Sequence, residues 1–243
     1  AGQIGSSLAK YFHNNEANLI LVDNNKVKLN LLKKKINSKG NFFYHCNLAN
    51  YKELKNLTKN IKNNFNKIDV IIHSASLVGT SKLKGWNTEF SKQSIYNWDE
   101  TFKINLNSLF FLVQNLEKKL VKSNSPSVIS IGSIYSKSLP DWRMYKNTNI
   151  YNPAAYSSSK AALAYLTKWL AKSANKKIRF NMVSPGGIEG AQNKKFKKNY
   201  INKVPLKRMT QVEDLIGPIV FLSSDMSKYI TGQNIFVDGG FSL

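Results

Sequence analysis

Ala1-Gly-Gln-Ile-Gly5 is followed by an amphipathic stretch and then by the apolar run Leu19-Ile-Leu-Val-Asp23. Two glycines, a helix, a strand and an acidic residue at this spacing form the second half of a dinucleotide-binding fingerprint. The glycines allow backbone N–H groups at a helix N-terminus to approach a pyrophosphate. The pattern therefore predicts cofactor contacts at Gly2, Gln3, Ile4 and Gly5.

Asp23 is expected to bind the adenosine ribose of such a cofactor. Its carboxylate can accept hydrogen bonds from the ribose hydroxyls, whereas like charge would repel a 2′-phosphate. We therefore expect NAD rather than NADP. The competing interpretation is an ordinary loop, helix and strand, in which Asp23 is only a residue at the end of the strand.

The apolar strand that normally precedes the glycines is absent, and the sequence begins without a methionine. We therefore expect the sequence as given to lack the first strand and the leading glycine of this unit. Truncation of the gene and truncation of the displayed chain would both produce this pattern.

Apolar and amphipathic segments alternate along the rest of the chain. Strands are predicted at 41–47, 68–72, 127–131, 178–183 and 234–237, and helices at 24–39, 50–65, 98–113, 156–170 and 213–223. Strands that alternate with helices of this length form a parallel sheet covered on both faces. The sequence therefore predicts an α/β fold, a doubly wound Rossmann-type parallel sheet, in a single domain spanning residues 1–243. The segments 137–153 and 189–203 are predicted to be irregular.

Ligands of such folds bind at the carboxyl ends of the strands. Three polar residues follow the predicted strands at this edge, namely Asn47, Ser74 and Ser76. We therefore expect these residues to lie near the cofactor.

Tyr156-Ser-Ser-Ser-Lys160 follows Pro153 and runs into a good helical stretch. Positions four apart share one face of a helix, so the Tyr156 hydroxyl and the Lys160 ammonium can meet. A neighbouring cation lowers the pKa of a tyrosine, which can then pass a proton to or from an alcohol or ketone. The spacing alone is weak, because the chain is rich in lysine. A second match, Tyr51 to Lys55, fits a solvated helix face better.

The formal net charge of +22 comes almost entirely from lysine. Arginine is the preferred residue for reading phosphates and bases, yet the chain has only Arg143, Arg179 and Arg208. We therefore attribute the excess of lysine and asparagine to AT-rich codons and expect no specific nucleic-acid partner. A lysine surface that binds nucleic acid is the lower-ranked alternative.

The single cysteine, Cys46, cannot form an internal disulfide, which fits a reducing, cytoplasmic location. No run of about 18 apolar residues is present, so no membrane-spanning segment is expected. We also expect no metal site.

The signals above occur in one order along the chain, together with Asn105, Ser133 and the closing Val237-Asp-Gly-Gly240. They resemble the short-chain dehydrogenase/reductase family over essentially the whole chain. The resemblance implies an NAD(P)-dependent oxidoreductase that acts on a small carbonyl or alcohol substrate, as a homodimer or homotetramer.

The resemblance also implies a role for each catalytic residue. Tyr156 is the acid/base, and Lys160 lowers its pKa and holds the nicotinamide ribose. Ser133 binds the substrate oxygen, and Asn105 anchors a water that leads protons to the lysine. Further cofactor contacts implied by the resemblance lie at Leu48, Ala75, Pro185, Gly186 and Ile188.

The chain departs from the family pattern at several positions. Gly190 stands where a threonine often contacts the carboxamide, and His73-Ser-Ala-Ser76 stands where Asn-Asn-Ala-Gly is usual. The interval from Ser133 to Tyr156 is 23 residues, longer than is usual, so the loop 137–153 is expected to overhang the substrate cleft. Its Ser-Ile-Tyr, Pro-Asp and Arg-x-Tyr pattern is similar to a branch associated with bacterial surface-sugar biosynthesis.

Two functions of different classes follow from these observations. The main hypothesis is hydride transfer between a nicotinamide cofactor and a carbonyl or alcohol. The alternative is a non-catalytic NAD-binding or scaffold protein on the same fold. The lysines of 194–203 add the hypothesis of an anionic substrate, such as a nucleotide sugar or a carrier-bound acyl group, against the alternative that they are merely solvated.

Overall fold

The computed structural model of the chain describes residues 1–148 and 150–243, and its helices alternate with parallel strands in an α/β fold. The strands are β1 (Leu19–Asp23), β2 (Asn41–His45), β3 (Val70–His73), β4 (Ser127–Ile131), β5 (Arg179–Pro185) and β6 (Asn234–Val237). The helices are α1 (Gln3–Asn14), α2 (Lys26–Lys35), α3 (Tyr51–Asn64), α4 (Ile95–Phe102), α5 (Ser108–Leu120), α6 (Trp142–Tyr145), α7 (Ala154–Ser173), α8 (Lys194–Lys203) and α9 (Ile216–Ser223). Within the described ranges, no helix combines the length and the apolar character needed to cross a bilayer.

The strands form two parallel sheets. β1 pairs with β2, with Val22 opposite Tyr44. The second sheet has the order β3-β4-β5-β6, in which β4 and β5 are buried along their whole length. The strand direction and the flanking helices are those that the sequence predicts. Because all pairings are parallel, the carboxyl ends in each sheet meet at one edge.

Helix α1 packs against both sheets. Leu8 is buried in a cluster with Ile129 of β4, whereas its neighbour Ala9 is buried with Leu32 of α2 and packs near Leu19 of β1. Consecutive residues of a helix point about 100° apart, so Leu8 and Ala9 can face different sheets. The apolar surface that both bury fixes α1 across the junction between the sheets.

The sequence predicts one long helix at 98–113, whereas the structure interrupts it. Helix α4 ends at Phe102, a π-helical turn covers Lys103–Asn107, and α5 begins at Ser108. Such turns insert one extra residue into a helix and are frequent at functional sites. Asn105 lies within this turn and is fully buried.

The prediction of an irregular basic segment at 189–203 is wrong for its second part, which forms α8. The Asn193 side chain caps this helix by accepting the Phe196 backbone N–H at 2.7 Å. Tyr200 is buried and Phe196 is partly buried, so α8 has an aromatic inner face. Five lysines in ten residues obscure that face in the sequence, because hydrophobic periodicity is the main signal for a helix.

Candidate active site

The structure brings the side chains of Ser133, Tyr156 and Lys160 together at the end of β4. Tyr156 and Lys160 lie one turn apart at the start of α7, and the Lys160 ammonium lies 5.8 Å from the centroid of the Tyr156 ring. Lys160 Nζ donates to the carbonyl oxygen of Ile131, the last residue of β4, at 2.8 Å. The Ser133 side chain lies close enough to the Tyr156 phenol to lower its pKa.

Gly132 makes this arrangement possible. An added Cβ atom there would lie 2.0 Å from Met182 Cε and 2.3 Å from Ser184 Oγ, both on β5. A side chain at this position would therefore force the buried side chains of Met182 and Ser184 to move.

The pKa of Tyr156 is raised, whereas the sequence predicts that Lys160 lowers it. Burial of the phenol raises the pKa, and the hydrogen bond with Ser133 offsets only part of this effect. Lys160 is itself buried, and burial lowers the pKa of its ammonium to about 7. A lysine that is partly neutral at neutral pH loses much of the electrostatic attraction on which the prediction relied. Tyr156 is therefore protonated at neutral pH.

Asn105 holds the loop after β3 against α7. Its Oδ1 accepts the Leu77 backbone N–H at 2.8 Å, and its Nδ2 donates to the Leu77 carbonyl at 3.2 Å and to Ser159 Oγ at 3.0 Å. Ser159 in turn donates to the Tyr156 carbonyl at 2.8 Å. The Asn105 amide thus positions the first turn of α7, which carries Tyr156.

His73 ends β3 and has no role in the sequence-based prediction. It is buried, and its Nε2 donates to Ser108 Oγ at 2.7 Å, because Ser108 uses its own hydrogen on the Ile104 carbonyl at 2.7 Å. Burial, followed by the charge of Lys160, lowers the pKa of His73 to about 3. His73 is therefore neutral and adds no positive charge beside Lys160. In the sequence, the only indication of this site was that His73 stands where the family usually has an asparagine.

The N-terminus of α1 presents backbone donors to the same edge of the second sheet. Gly2 caps the helix, and the first helical hydrogen bond runs from Ser6 N to Gly2 O at 2.9 Å, so the N–H groups of residues 3–5 precede the helical ladder. The first turn contains no acidic side chain that would offset the positive end of the helix dipole. An added Cβ on Gly5 would lie 3.2 Å from Ser74 Oγ, so this turn packs closely against the residues after β3.

Asp23 ends β1, and its carboxylate accepts a hydrogen bond from the backbone of the following turn. Its Oδ1 accepts from the Asn25 N–H at 2.7 Å, and its Oδ2 lies 2.6 Å from the nitrogen of Ala1, the residue before the cap of α1. The carboxylate therefore stands at the carboxyl edge of the first sheet, close to the N-terminus of α1.

Other predicted cofactor residues take part in local turns. Asn47 Oδ1 accepts from the Ala49 N–H at 3.0 Å, and Leu48 packs against the main apolar core. Ser76 Oγ donates to the Leu77 carbonyl at 3.1 Å. These residues follow β2 and β3 at the expected edge, but the polar side chains stabilise their own loops. Ala75, which lies between Ser74 and Ser76, has only a methyl side chain and offers no polar group.

The turn after β5 lies against the first residues of α1. β5 ends at Pro185, and the Gly186 N–H donates to the Val237 carbonyl of β6 at 3.0 Å. Further along the same segment, the backbone carbonyl of Glu189 accepts a hydrogen bond from Gln3 Nε2 at 3.2 Å. The glycine turn of α1 and the segment after Pro185 therefore form adjoining walls.

Gln192 supplies an unused acceptor beside these walls. Its Nε2 donates to the Ile188 carbonyl at 2.7 Å, which fixes the orientation of the amide because a carbonyl needs a donor. Its Oε1 is buried, and no described residue donates to it. Gly190 leaves room here, since an added Cβ would lie 3.6 Å from Oε1. An unpaired buried acceptor costs about 1–3 kcal/mol, which the carboxamide NH₂ of a nicotinamide could relieve.

The residues present therefore fit a nicotinamide dinucleotide. The N-terminus of α1 offers donors for a pyrophosphate, Asp23 offers acceptors for a ribose, and Gln192 offers an acceptor for a carboxamide. Among the described residues, no cluster of three or more His, Cys, Asp or Glu side chains is placed to hold a metal ion.

The predicted loop 137–153 contains the short helix α6 and is tied to the site by phenols. Tyr135 follows Ser133 by two residues, and its ring meets the Tyr156 ring edge-on, with centroids 6.3 Å apart. The Tyr135 and Tyr145 hydroxyls lie 2.5 Å apart, and Asn152 Nδ2 donates to the Tyr145 oxygen at 3.3 Å. The sequence analysis identified Tyr135 in the Ser-Ile-Tyr pattern and Tyr145 in the Arg-x-Tyr pattern, but it did not predict that their hydroxyls would be in contact.

The same loop is fastened to α8. Asn193 Nδ2 donates to the Thr148 carbonyl at 2.8 Å, and Asn199 Nδ2 donates to the Met144 carbonyl at 3.1 Å. Lys203 forms an ion pair with Asp141. The described part of loop 137–153 and α8 therefore pack as one unit, which contacts Tyr135 through Tyr145.

Lys160→Met should stabilise the protein in a pH-dependent way. The pKa of this lysine falls from 10.5 to about 7 on burial. Between these values the unfolded chain binds more protons, so the free energy of unfolding of the wild type rises with pH. The variant's advantage in unfolding free energy at pH 7 should therefore shrink by at least about 1 kcal/mol by pH 10, measured by urea denaturation. Lys168→Met, on the exposed face of α7, should show no such change; an equal effect of Lys160→Met at both pH values would contradict the assignment.

A model of the enoyl-(acyl carrier protein) reductase family matches residues 1–242. The post-translational flagellin modification protein A of Campylobacter coli is 30% identical over 247 residues, covering 100% of this chain and 95% of that protein. The 3-oxoacyl-(acyl-carrier-protein) reductase of Thermotoga maritima is 27% identical over 250 residues, with 100% and 95% covered.

Solved structures agree with these relatives. A short chain dehydrogenase from Leptospira borgpetersenii with bound NAD+ has a TM-score of 0.86 and 32% identity, over 100% of this chain and 89% of that chain. A gluconate 5-dehydrogenase from Burkholderia cenocepacia, in complex with NADP and tartrate, shares the fold with a TM-score of 0.83 and 22% identity, over 100% and 91%. The chain therefore belongs to the short-chain dehydrogenase/reductase family of NAD(P)-dependent oxidoreductases.

Proposed function

We propose that this protein is an NAD-dependent oxidoreductase that interconverts a carbonyl and an alcohol, with Tyr156 as the acid and base. The observation that carries the proposal is the meeting of Ser133, Tyr156 and Lys160 at the end of β4. The backbone donors of α1 and the free acceptor of Gln192 support a nicotinamide dinucleotide as the second reactant.

The cofactor, when bound, supplies or accepts the hydride. In the reductive direction, Ser133 donates a hydrogen bond to the carbonyl oxygen, and Tyr156 gives its proton to that oxygen as the double bond becomes single. In the oxidative direction, Tyr156 accepts the proton of the alcohol. Lys160, whose pKa is about 7, can pass a proton to or from Tyr156 near neutral pH and would hold the cofactor's ribose.

Tyr156→Phe tests this assignment, because it keeps the ring and removes the exchangeable proton. We expect kcat/KM to fall at least about 100-fold across a panel of ketones and sugars, followed by absorbance of the reduced cofactor. Tyr165→Phe, on the exposed face of the same helix, should leave kcat/KM unchanged.

The pH profile gives an independent readout of the same group. Because burial raises the pKa of Tyr156, reduction should be level through neutral pH and fall only in alkaline solution, whereas oxidation should rise with pH. Turnover that survives Tyr156→Phe would defeat the proposal. Cofactor binding by the wild type without turnover of any panel member would favour the alternative, a non-catalytic NAD-binding or scaffold protein.

The preference for NAD over NADP is proposed from Asp23. Its Oδ1 accepts the Asn25 N–H, which orients the carboxylate at the edge where the ribose of the cofactor is expected. A fixed like charge acts as a repulsive element against the wrong cofactor.

We expect NADH to bind the wild type at least about tenfold more tightly than NADPH, and Asp23→Asn to remove most of this difference. Fluorescence titration of both reduced cofactors measures the two dissociation constants. Asn24→Ala, at the neighbouring position, serves as the control and should keep the preference. Equal affinities for NADH and NADPH in the wild type would exclude Asp23 as the selecting residue.

An anionic substrate is proposed from the position of α8 beside the cleft. Lys194 and Lys195 are exposed in its first turn, and the helix is fastened to the loop that carries Tyr145. Positive charge at the rim of a cleft raises the local concentration of anions. Helix α2 also has five lysines in ten residues, so the chain provides its own comparison for the effect of position.

Charge reversal at Lys194 and Lys195 should raise KM for an anionic substrate by roughly threefold to tenfold at low ionic strength. Dihydroxyacetone phosphate and dihydroxyacetone form a matched pair that differs only in the phosphate. The same reversal at Lys34 and Lys35 of α2 should leave both KM values unchanged. Equal effects on the charged and neutral substrates, or equal effects from both helices, would rule out a role for α8 in recognising charge.

A further inference from the structure

Described side chains of the loop 137–153 line a cavity that is open to solvent and includes Tyr145. The cavity measures about 530 Å³, within the range of small-molecule sites, and it combines aromatic rings with cationic side chains. Trp142, Arg143, Tyr145, Lys146 and Tyr151 contribute to its lining. A substrate whose reacting carbon lies at Tyr156 could extend its remaining atoms into this space.

Tyr145 connects this cavity to the reacting group. Its ring lines the cavity, and its hydroxyl lies 2.5 Å from the Tyr135 hydroxyl. Tyr135 in turn packs edge-on against Tyr156, and its backbone N–H donates to Ser133 Oγ at 3.2 Å. The two hydroxyls therefore lie between the cavity and the pair Ser133 and Tyr156.

The hydrogen atoms of the two phenols do not all have acceptors. Each hydroxyl carries one hydrogen, and the contact between them uses one of the two. Asn152 faces the Tyr145 oxygen with its Nδ2, a donor, because its Oδ1 accepts from Ser157 Oγ at 2.6 Å. Among residues 1–148 and 150–243, the second hydrogen has no recorded acceptor. The pair therefore has one donor to offer to a ligand.

We propose that the Tyr135–Tyr145 pair donates a hydrogen bond to a second oxygen of the substrate, and that the substrate is a hydroxylated, sugar-like ketone or alcohol. This inference rests on the proposed oxidoreductase function. A simple ketone offers no oxygen to accept this hydrogen bond, and a site built to pair a hydroxyl discriminates strongly against the analogue that lacks it.

The experiment compares reduction of 2-hydroxycyclohexanone and cyclohexanone, which differ by one hydroxyl next to the carbonyl. We expect the ratio of their kcat/KM values, hydroxyketone over ketone, to fall by about tenfold in the double variant Tyr135→Phe/Tyr145→Phe. Tyr165→Phe, on the exposed face of α7, should leave the ratio unchanged. Using a ratio removes the intrinsic difference in reactivity between the two ketones.

A role of the phenols in structure alone would slow both ketones equally and leave the ratio unchanged, and that result would overturn the inference. It would not touch the oxidoreductase assignment, which depends on Tyr156→Phe. Thermal unfolding and NADH affinity show whether the double variant is folded. If it is not, Tyr135→Phe alone serves as the test, because Tyr135 adjoins Tyr156, and its ratio should fall at least about threefold.

Discussion

The buried amine of Lys160 is the constraint on which the rest of the site depends. Its hydrogen bond to the Ile131 carbonyl ties α7 to the end of β4, directly before the turn that presents Ser133. Among the described residues, no carboxylate pairs with it. Burying an ammonium without a counter-ion is costly, and the group responds with a lowered pKa. Such an arrangement is poorly explained by stability and is typical of a functional site.

The sequence predicted which side chains meet at the end of β4 better than it predicted their pKa values. The four-residue spacing of Tyr156 and Lys160 follows from helix geometry, and the place of Ser133 follows from the end of a buried strand. The direction of the Tyr156 pKa shift could not be predicted in this way. It depends on how deeply two side chains are buried, and burial is set by β4, β5 and the loops around them.

The fold shows the same limit of local patterns. Helix α8 was not predicted because its lysines outnumber the residues of its inner face. Phe196 and Tyr200 form that face in the structure, where Phe196 packs against Tyr145. The π-helical turn at Asn105 was also not predicted, and within it the Asn105 amide contacts Leu77 and Ser159, which are distant in the sequence. Propensity reports on neighbours along the chain, and these features depend on neighbours in space.

In a chain with 36 basic and 14 acidic residues, the acids reveal more about the site than the lysines do. A positive potential spread over a whole surface attracts any anion and discriminates poorly. Carboxylates lower the positive potential locally where they pair with a lysine. On α8, Lys197 pairs with Glu189 and Lys203 pairs with Asp141. The middle and the end of α8 are thereby partly neutralised, whereas its first turn keeps the charges of Lys194 and Lys195. For the anionic substrate proposed above, the positions of the carboxylates therefore predict that its charged group lies at the first turn of α8.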